Sequence, residues 1–114
     1  MKPLTLSVLY PSLLVALACA PLAAWSMTKD GYPAIEFRKL PNAVQRSYVN
    51  EKPNLGENGR CSTAFDSTSD QEKMIFTCSI YIKIGSEGAR RSMNRCEDQR
   101  KQLHVKAPCA VIVE

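Results

Sequence analysis

The clearest pattern of apolar and polar positions runs from Met74 to Ile84. Apolar side chains occupy every second position of this segment, and mainly polar ones such as Thr77, Ser79 and Tyr81 stand between them. An alternation with a period of two is typical of a strand that has one buried face. The whole segment is therefore predicted to be a strand that turns its polar side chains to solvent.

The wider spacing of an amphipathic helix appears upstream. Pro41 can open a helix, since the first turn needs no amide donor at that position. Val44 and Tyr48 then fall on one face, and the helix is predicted to end near Asn50. The stretch that follows, residues 51–60, contains proline and several glycines, which favours a loop.

A second helix is predicted from Glu87 to about Leu103, because Ala89, Met93, Cys96 and Leu103 form one stripe. Shorter strands are predicted around residues 35–37, 61–65 and 109–113. The resulting order, β-α-β-β-α-β, is the split order of a ferredoxin-like sandwich. The expected fold class is α+β, with both helices on one face of an antiparallel sheet.

The beginning of the chain has the composition of a secretory signal. A basic start is followed by an apolar run over residues 4–17 and then by small residues. A small-x-small cleavage rule places the mature start near Met27, with a cut after Ala24 as the second choice. The expected organisation is a signal peptide over residues 1–26 and one exported domain over 27–114.

Two other readings of this leader remain open. A permanent membrane anchor needs about 20 unbroken apolar residues, and Pro3, Pro11 and Pro21 interrupt this run. A bacterial lipoprotein would be modified at Cys19, whose preceding residues match the usual lipidation box only in part. Cleavage near Met27 would remove Cys19 with the leader and leave an even number of cysteines.

Charge gives a weak indication of partners. The 114-residue chain has a formal charge of +4, and removal of a leader with one lysine and no acid leaves +3. A mildly basic domain tolerates nucleic acid but does not favour it over protein. No membrane partner is expected after cleavage, since no later stretch is long and apolar enough to span a bilayer.

Four cysteines follow the leader: Cys61, Cys78, Cys96 and Cys109. An even number in an exported chain predicts two disulfides. A hairpin of the two middle strands with Phe65 opposite Met74 would place Cys61 opposite Cys78, within disulfide reach. The domain is therefore expected to be a small disulfide-stapled sandwich.

The sheet order decides the pairing. A ferredoxin-like sheet would put the strands of Cys61 and Cys109 on opposite edges, which leaves Cys61–Cys78 with Cys96–Cys109. Another sheet order would favour Cys61–Cys109 with Cys78–Cys96, and sequence alone does not choose.

No metal, cofactor or catalytic constellation is expected. Zinc sites have cysteine pairs two to four residues apart, and this chain has none. His104 is the only histidine and lies at the end of a predicted helix, where the dipole favours it. Glu57, Arg60 and His104 could together form a ribonuclease-type set, but no spacing signature supports them.

Candidate partner-binding residues lie in the second half of the chain. Arg90, Arg91 and Arg95 give the second helix a basic surface, interrupted by acidic residues. Tyr81 lies on the polar side of the best strand, where an uncovered sheet face would suit binding to a protein.

The whole chain resembles the small secreted cysteine-containing effectors of plant-pathogenic fungi, through its leader, mature length and four cysteines. Asp30-Gly31, Ile35, Ala43-Val44 and Tyr48 are similar to the stretch that opens the first helix of ribonuclease-like powdery mildew effectors. The element order is more similar to the smut killer-toxin fold, although the Lys-Arg processing site is missing.

The resemblance implies a secreted effector, or virulence-type protein, that binds a host component without catalysis. One alternative is a bacterial periplasmic inhibitor or immunity protein against a cell-wall-active enzyme. A second alternative is a ribonuclease-like hydrolase, which would require the set that includes His104.

Overall fold

The computed structural model describes residues 26–114, which form five strands and two α-helices. The strands are β1 (Ser26–Met27), β2 (Pro33–Glu36), β3 (Arg60–Phe65), β4 (Met74–Ser79) and β5 (Ala110–Val113), and the helices are α1 (Asn42–Leu55) and α2 (Gly85–Leu103). The predicted α+β class is confirmed, and β2 to β5 with α1 and α2 follow the predicted β-α-β-β-α-β order. The predicted signal peptide, apart from Ser26, and its alternatives lie outside the described residues.

The strands form one mixed sheet in the order β1-β2-β5-β3-β4. Only the β2–β5 pair is parallel, and β3 pairs directly with β5 through Ser62↔Val111 and Thr63↔Ala110. The strand order within the sheet is therefore not that of a ferredoxin-like fold, and the sheet is not purely antiparallel as predicted. The apolar sequence of β5 explains its central place, because Ala110, Val111 and Ile112 are all buried and a strand covered on both faces needs apolar residues throughout.

The two helices cover opposite faces of the sheet, not one face as predicted. One core lies between the sheet and α2 and includes Ala64, Ile75 and Val111. The other core lies between the sheet and α1 and includes Cys61 and Ile112. Neighbouring residues of one strand therefore belong to different cores, as the pleat of a strand requires.

Strand β4 reverses the predicted burial. Ile75, Thr77 and Ser79 are buried under α2, whereas Met74, Phe76 and Cys78 on the α1 face are half-buried. The strand face that was predicted to lie in solvent, which carries Thr77 and Ser79, is thus the more deeply buried one. Because a helix covers each face of the sheet, the alternation of apolar and polar residues in β4 does not correspond to one buried and one exposed face.

Strand β4 also ends five residues earlier than predicted. It is an edge strand that pairs only with β3 among the described residues, and the pairing stops at Arg60↔Ser79. The chain then turns at Tyr81, which has a φ of 59°. Without a neighbour to accept its hydrogen bonds, the alternating segment beyond Ser79 does not continue as a strand.

Small polar side chains form the contact between β3, β4 and α2. The hydroxyls of Ser62 and Ser92 lie 2.7 Å apart, and Thr77 Oγ1 donates to the Ser92 carbonyl at 2.8 Å. Ser79 Oγ donates to the Gly88 carbonyl at 2.6 Å. Buried hydroxyls with partners avoid the cost of desolvation, and their small size lets α2 pack closely on the sheet.

The helix boundaries also differ from the predictions. Helix α1 continues through Pro53 to Leu55 and ends at Gly56, which has a φ of 63°. Pro53 lies in the last turn, and burial of Leu55 holds that turn against the core. At the end of α2, Leu103 is 51% exposed and does not belong to the buried stripe.

The cysteines form the predicted pairs, Cys61–Cys78 and Cys96–Cys109. The reason differs from the prediction, because β3 and β5 are neighbours and their separation cannot be what prevents a Cys61–Cys109 bond. Cys61 lies in the core under α1, whereas Cys96 and Cys109 lie in the core under α2. The sheet therefore separates the two pairs and gives each face one disulfide.

Candidate protein-binding surface

The segment between β4 and α2 is tied to the domain at its base. We refer to residues 80–84 as the 80–84 loop. The side-chain amide of Asn58 donates to the carbonyls of Ile82 and Lys83, both at 3.2 Å. Asn58 itself is held against α2, since a Cβ added to Gly88 would lie 1.8 Å from the Asn58 carbonyl oxygen. This close approach requires glycine and fixes the loop relative to the helix.

Tyr81 projects from this loop into solvent. Its side chain is 87% exposed, and Ile84 beside it is 64% exposed. The left-handed backbone conformation of Tyr81 costs about 1–2 kcal/mol for a residue that has a Cβ. The protein thus holds a large aromatic residue outward in a conformation that glycine would adopt without strain.

Helix α2 supplies cations next to this tyrosine. Arg91 and Glu87 line a shallow depression of 190 Å³ together with residues 81–84. One turn further along the helix, Arg95 Nη1 donates to the Cys78 carbonyl at 2.9 Å. Tyr81, Arg91 and Arg95 therefore lie on the same flank of the molecule, beside the end of β4.

The structure separates Arg90 from the other predicted partner-binding residues. Five positions along an α-helix turn a side chain by about 140°, so Arg90 points well away from Arg95. Its guanidinium donates to the Glu87 carboxylate, with Nε at 2.9 Å. Arg91 adds a weaker contact at 3.4 Å. The hydrogen bond from Arg90 holds the pKa of Glu87 below its usual value.

Three features of this surface were missed in the sequence. Ile84 was assigned to a buried strand face, Asn58 to an unremarkable loop, and Glu87 only to an interruption of basic charge. The signal for the loop was the Gly85 and Gly88 pair after the alternation, which ends regular structure and allows close packing.

The ribonuclease-type set is not brought together. Arg60 begins β3, with Glu57 just before it. At the other end of the same strand, Asp66 accepts hydrogen bonds from the backbone N–H groups of Lys106 and Ala107, close to His104. A six-residue strand spans about 17–20 Å, so His104 lies too far from Arg60 to act on one phosphate.

His104 has a structural place at the end of α2. It adopts the left-handed conformation with a φ of 56°, and the following Val105 N–H donates to the Arg100 carbonyl at 3.2 Å. This is the Schellman pattern of a helix end, in which the residue after the left-handed one packs into the core. Val105 is buried and the imidazole is exposed.

A separate cleft of 340 Å³ lies at the end of α1 and holds Tyr48, Lys52, Arg60 and Glu114 among its lining residues. Burial raises the pKa of the Tyr48 phenol, and the Glu114 carboxylate adds to this effect. Glu114 pairs with Lys52 and raises the pKa of that amine through a hydrogen bond. The Glu114 carboxylate offsets one of the two cations, Lys52 and Arg60, so the side chains of the cleft carry only a small positive charge.

No family model, curated protein or solved structure matches the chain. Among residues 26–114 there is no cluster of three or more potential metal ligands, and no helix long and apolar enough to cross a membrane. The resemblance to secreted fungal effectors stays a prediction, as do the binding roles of Tyr81 and the three arginines.

Proposed function

We propose that this protein is exported and acts by binding a protein of a host cell, without catalysing a reaction. The binding surface is the flank formed by Tyr81, Ile84, Arg91 and Arg95. Two disulfides are compatible with folding in an oxidising compartment, and the leader supports export.

The exposure of Tyr81 carries the proposal. An aromatic residue that is 87% exposed in a left-handed conformation reduces the stability of the free protein. Strained backbone clusters at functional sites, and Tyr81, unlike His104, does not end a helix. Tyrosine and arginine are both among the residues that contribute most to binding at protein interfaces. A protein partner that covers Tyr81 and Ile84 would remove both from water.

The surrounding structure favours binding over catalysis. The surface is held by the Asn58 hydrogen bonds and by close packing at Gly88, so little order needs to be gained on association. It offers an aromatic ring, an aliphatic side chain and guanidinium groups, and the nearby Glu87 carboxylate is already engaged by Arg90 and Arg91. The resemblance to fungal effectors supports a host protein as the target.

Affinity capture with matched variants tests this proposal. The oxidised protein and its Tyr81→Gly and His104→Gly variants are used to capture proteins from host extracellular fluid, with a bacterial periplasmic extract as a second arm. Both substitutions place glycine at a left-handed position, so they match in their effect on the backbone. A specific partner should bind the wild type and His104→Gly, and bind Tyr81→Gly about tenfold or more weakly.

Three results would contradict the proposal. Equal capture of the partner by all three proteins would show that Tyr81 is not in the interface. A specific partner found only in the periplasmic arm would favour the inhibitor alternative. RNA cleavage by the wild type that His104→Ala abolishes would show an enzyme.

A further inference from the structure

The outer edge of β4 carries backbone groups that are not used within the sheet. β4 is the last strand on its side, and no described residue pairs along its outer edge. Cys61 and Cys78 lie opposite each other with their Cα atoms 4.0 Å apart. This short distance marks the pair that does not exchange backbone hydrogen bonds in an antiparallel ladder. The N–H and C=O groups of Cys78 therefore point away from β3.

In an antiparallel pair of strands, the backbone groups of successive residues point alternately toward the neighbouring strand and away from it. This alternation gives the direction of the other backbone groups of β4. Phe76 and Met74 are two and four residues from Cys78, so their backbone groups also point outward. Thr63 Oγ1 donates to the Ile75 carbonyl at 2.7 Å, which confirms that the intervening residues point toward β3. Two of the outward groups have partners, because Met74 N–H donates to Gln71 and the Cys78 carbonyl accepts from Arg95.

Four outward groups remain along the middle of the strand. They are the Met74 carbonyl, both backbone groups of Phe76 and the Cys78 N–H. This is the set that an additional strand needs, with Phe76 exchanging two hydrogen bonds with the residue opposite it. Edge strands with open groups bind extended segments by strand addition.

The two faces beside this edge differ in chemistry. On the α1 side, a depression of 140 Å³ is lined by Ala43, Ser47, Met74 and Phe76 among others. On the α2 side, Arg95 reaches the edge itself and Arg91 lies one turn away. Arg95 forms no ion pair with any residue of the described part of the chain. The α1 side is thus mainly apolar, although Ser47 and Gln71 also line it, and the α2 side offers the guanidinium of Arg95 at the edge, with Arg91 beside Glu87.

We infer that β4 binds an extended segment of the partner protein in which apolar and acidic side chains alternate. This inference rests on the proposed function and names the chemistry of the partner. The residue opposite Phe76 points to the α1 side, into the apolar depression. Its two neighbours point to the α2 side, where carboxylates meet Arg91 and Arg95. Charge complementarity therefore selects the acidic segment and disfavours a second copy of this basic chain.

Amide exchange on the oxidised protein tests the inference with a defined probe. The probe is a nine-residue peptide in which valine and glutamate alternate, and the control peptide has lysine in place of glutamate. In the free protein the Phe76 and Cys78 amides should exchange quickly, and those of Ile75 and Thr77 slowly. Saturating probe should slow exchange at Phe76 and Cys78 by about tenfold or more, and the lysine peptide should leave it unchanged.

Matched substitutions at the edge separate backbone from side-chain effects. Phe76→Ala and Phe76→Pro both remove the aromatic ring, but only proline removes the outward N–H, and a proline there spares the bonds to β3. Phe76→Pro should bind the probe about tenfold more weakly than Phe76→Ala. Arg95→Gln should also weaken binding, whereas Arg90→Gln, with the same change of charge, should not.

Several outcomes would overturn the inference. Unchanged exchange at Phe76 and Cys78 with millimolar glutamate probe would do so, as would equal protection by the lysine peptide. Protection that grows with protein concentration alone would identify a second copy as the occupant. If Phe76→Pro proves unfolded by circular dichroism, the exchange data and the Arg95→Gln and Arg90→Gln pair decide the matter.

The outcome also separates this inference from the proposed function. A captured partner could bind Phe76→Pro as well as it binds Phe76→Ala, but bind Tyr81→Gly weakly. That result would support the proposed function and contradict strand addition at β4. If no partner requires Tyr81 for binding, the proposed function itself is contradicted.

Discussion

Within residues 26–114, Tyr81 and His104 are the two non-glycine residues that adopt the left-handed conformation. They differ in what their backbone does. His104 ends α2 with a Schellman pattern and positions the buried Val105. Tyr81 lies in the loop just beyond the end of the edge strand β4 and projects its ring into solvent. The sequence shows neither conformation, since a positive φ is uncommon outside glycine, although histidine adopts it more often than tyrosine does.

Substitution with glycine should stabilise the protein at both positions. Tyr81→Gly and His104→Gly should each raise the free energy of unfolding by about 0.5–1 kcal/mol, since relief of strain exceeds the entropy that glycine adds to the unfolded chain. Chemical denaturation followed by circular dichroism measures the change. Tyr81→Ala and His104→Ala are the controls and should show no gain. A loss of stability in Tyr81→Gly would mean that the tyrosine ring packs on the domain.

Asp66 should contribute to the pH dependence of stability. Its carboxylate accepts two hydrogen bonds at 2.8 Å from the N–H groups of Lys106 and Ala107, and these bonds hold its pKa below the usual value. A lowered pKa in the folded state means that the contribution is present above the unfolded pKa, about 3.9, and is lost as the pH falls through the folded value.

The comparison with Asp66→Asn isolates that contribution. Wild-type stability should exceed that of the variant at neutral pH, and the difference should shrink below about pH 4. Unfolding curves between pH 2 and 7 would measure it, and a carboxyl titration by NMR gives the pKa directly. A difference that stays constant across this range would show that the carboxylate charge does not matter.

At the scale of elements, the contact between α2 and the sheet depends on small residues. Gly88→Ala should destabilise the protein by about 2–3 kcal/mol, because the new Cβ would lie 1.8 Å from the Asn58 carbonyl oxygen. Gly85→Ala is the control in the same helix, since its Cβ would meet only Asn58 Oδ1 at 3.5 Å. Equal unfolding midpoints for the two variants would show that α2 does not press on Asn58 as described.

The same contact shows where prediction from the pattern failed. The alternation in β4 predicted a strand correctly over Met74–Ser79 but assigned the wrong face to the deeper core. Thr77 is buried because its hydroxyl bonds the Ser92 carbonyl of α2, and side-chain polarity alone does not reveal that partner. The small residues Gly88, Ala89 and Ser92 along α2 were the available signal, since they mark a helix that packs closely.

The extent of β4 could not be read from its own residues. Its alternation continues to Ile84, but a strand at an edge ends where its single neighbour ends. That neighbour, β3, begins only at Arg60, after α1 has run through Pro53 to Leu55. Strand length is thus set by tertiary pairing, and the exposed Tyr81 and Ile84 follow from it.

At the scale of the whole molecule, the class and the disulfide pairs were predicted, but the sheet order was not. The hairpin register that placed Cys61 opposite Cys78 is the observed one. The place of β5 between β2 and β3 depends on long-range pairing, which local patterns do not encode. Its continuous apolar run, Ala110–Val113, is in retrospect the mark of a central strand.

The proposed function requires a chain that leaves the reducing cytoplasm and folds around one disulfide on each face of its sheet. Peptide mapping by mass spectrometry, without reduction, of the protein recovered from its natural location tests this directly. We predict a first residue near Met27 and two linked peptides, Cys61 with Cys78 and Cys96 with Cys109. Four free thiols, a different pairing or an intact leader on an intracellular protein would contradict it.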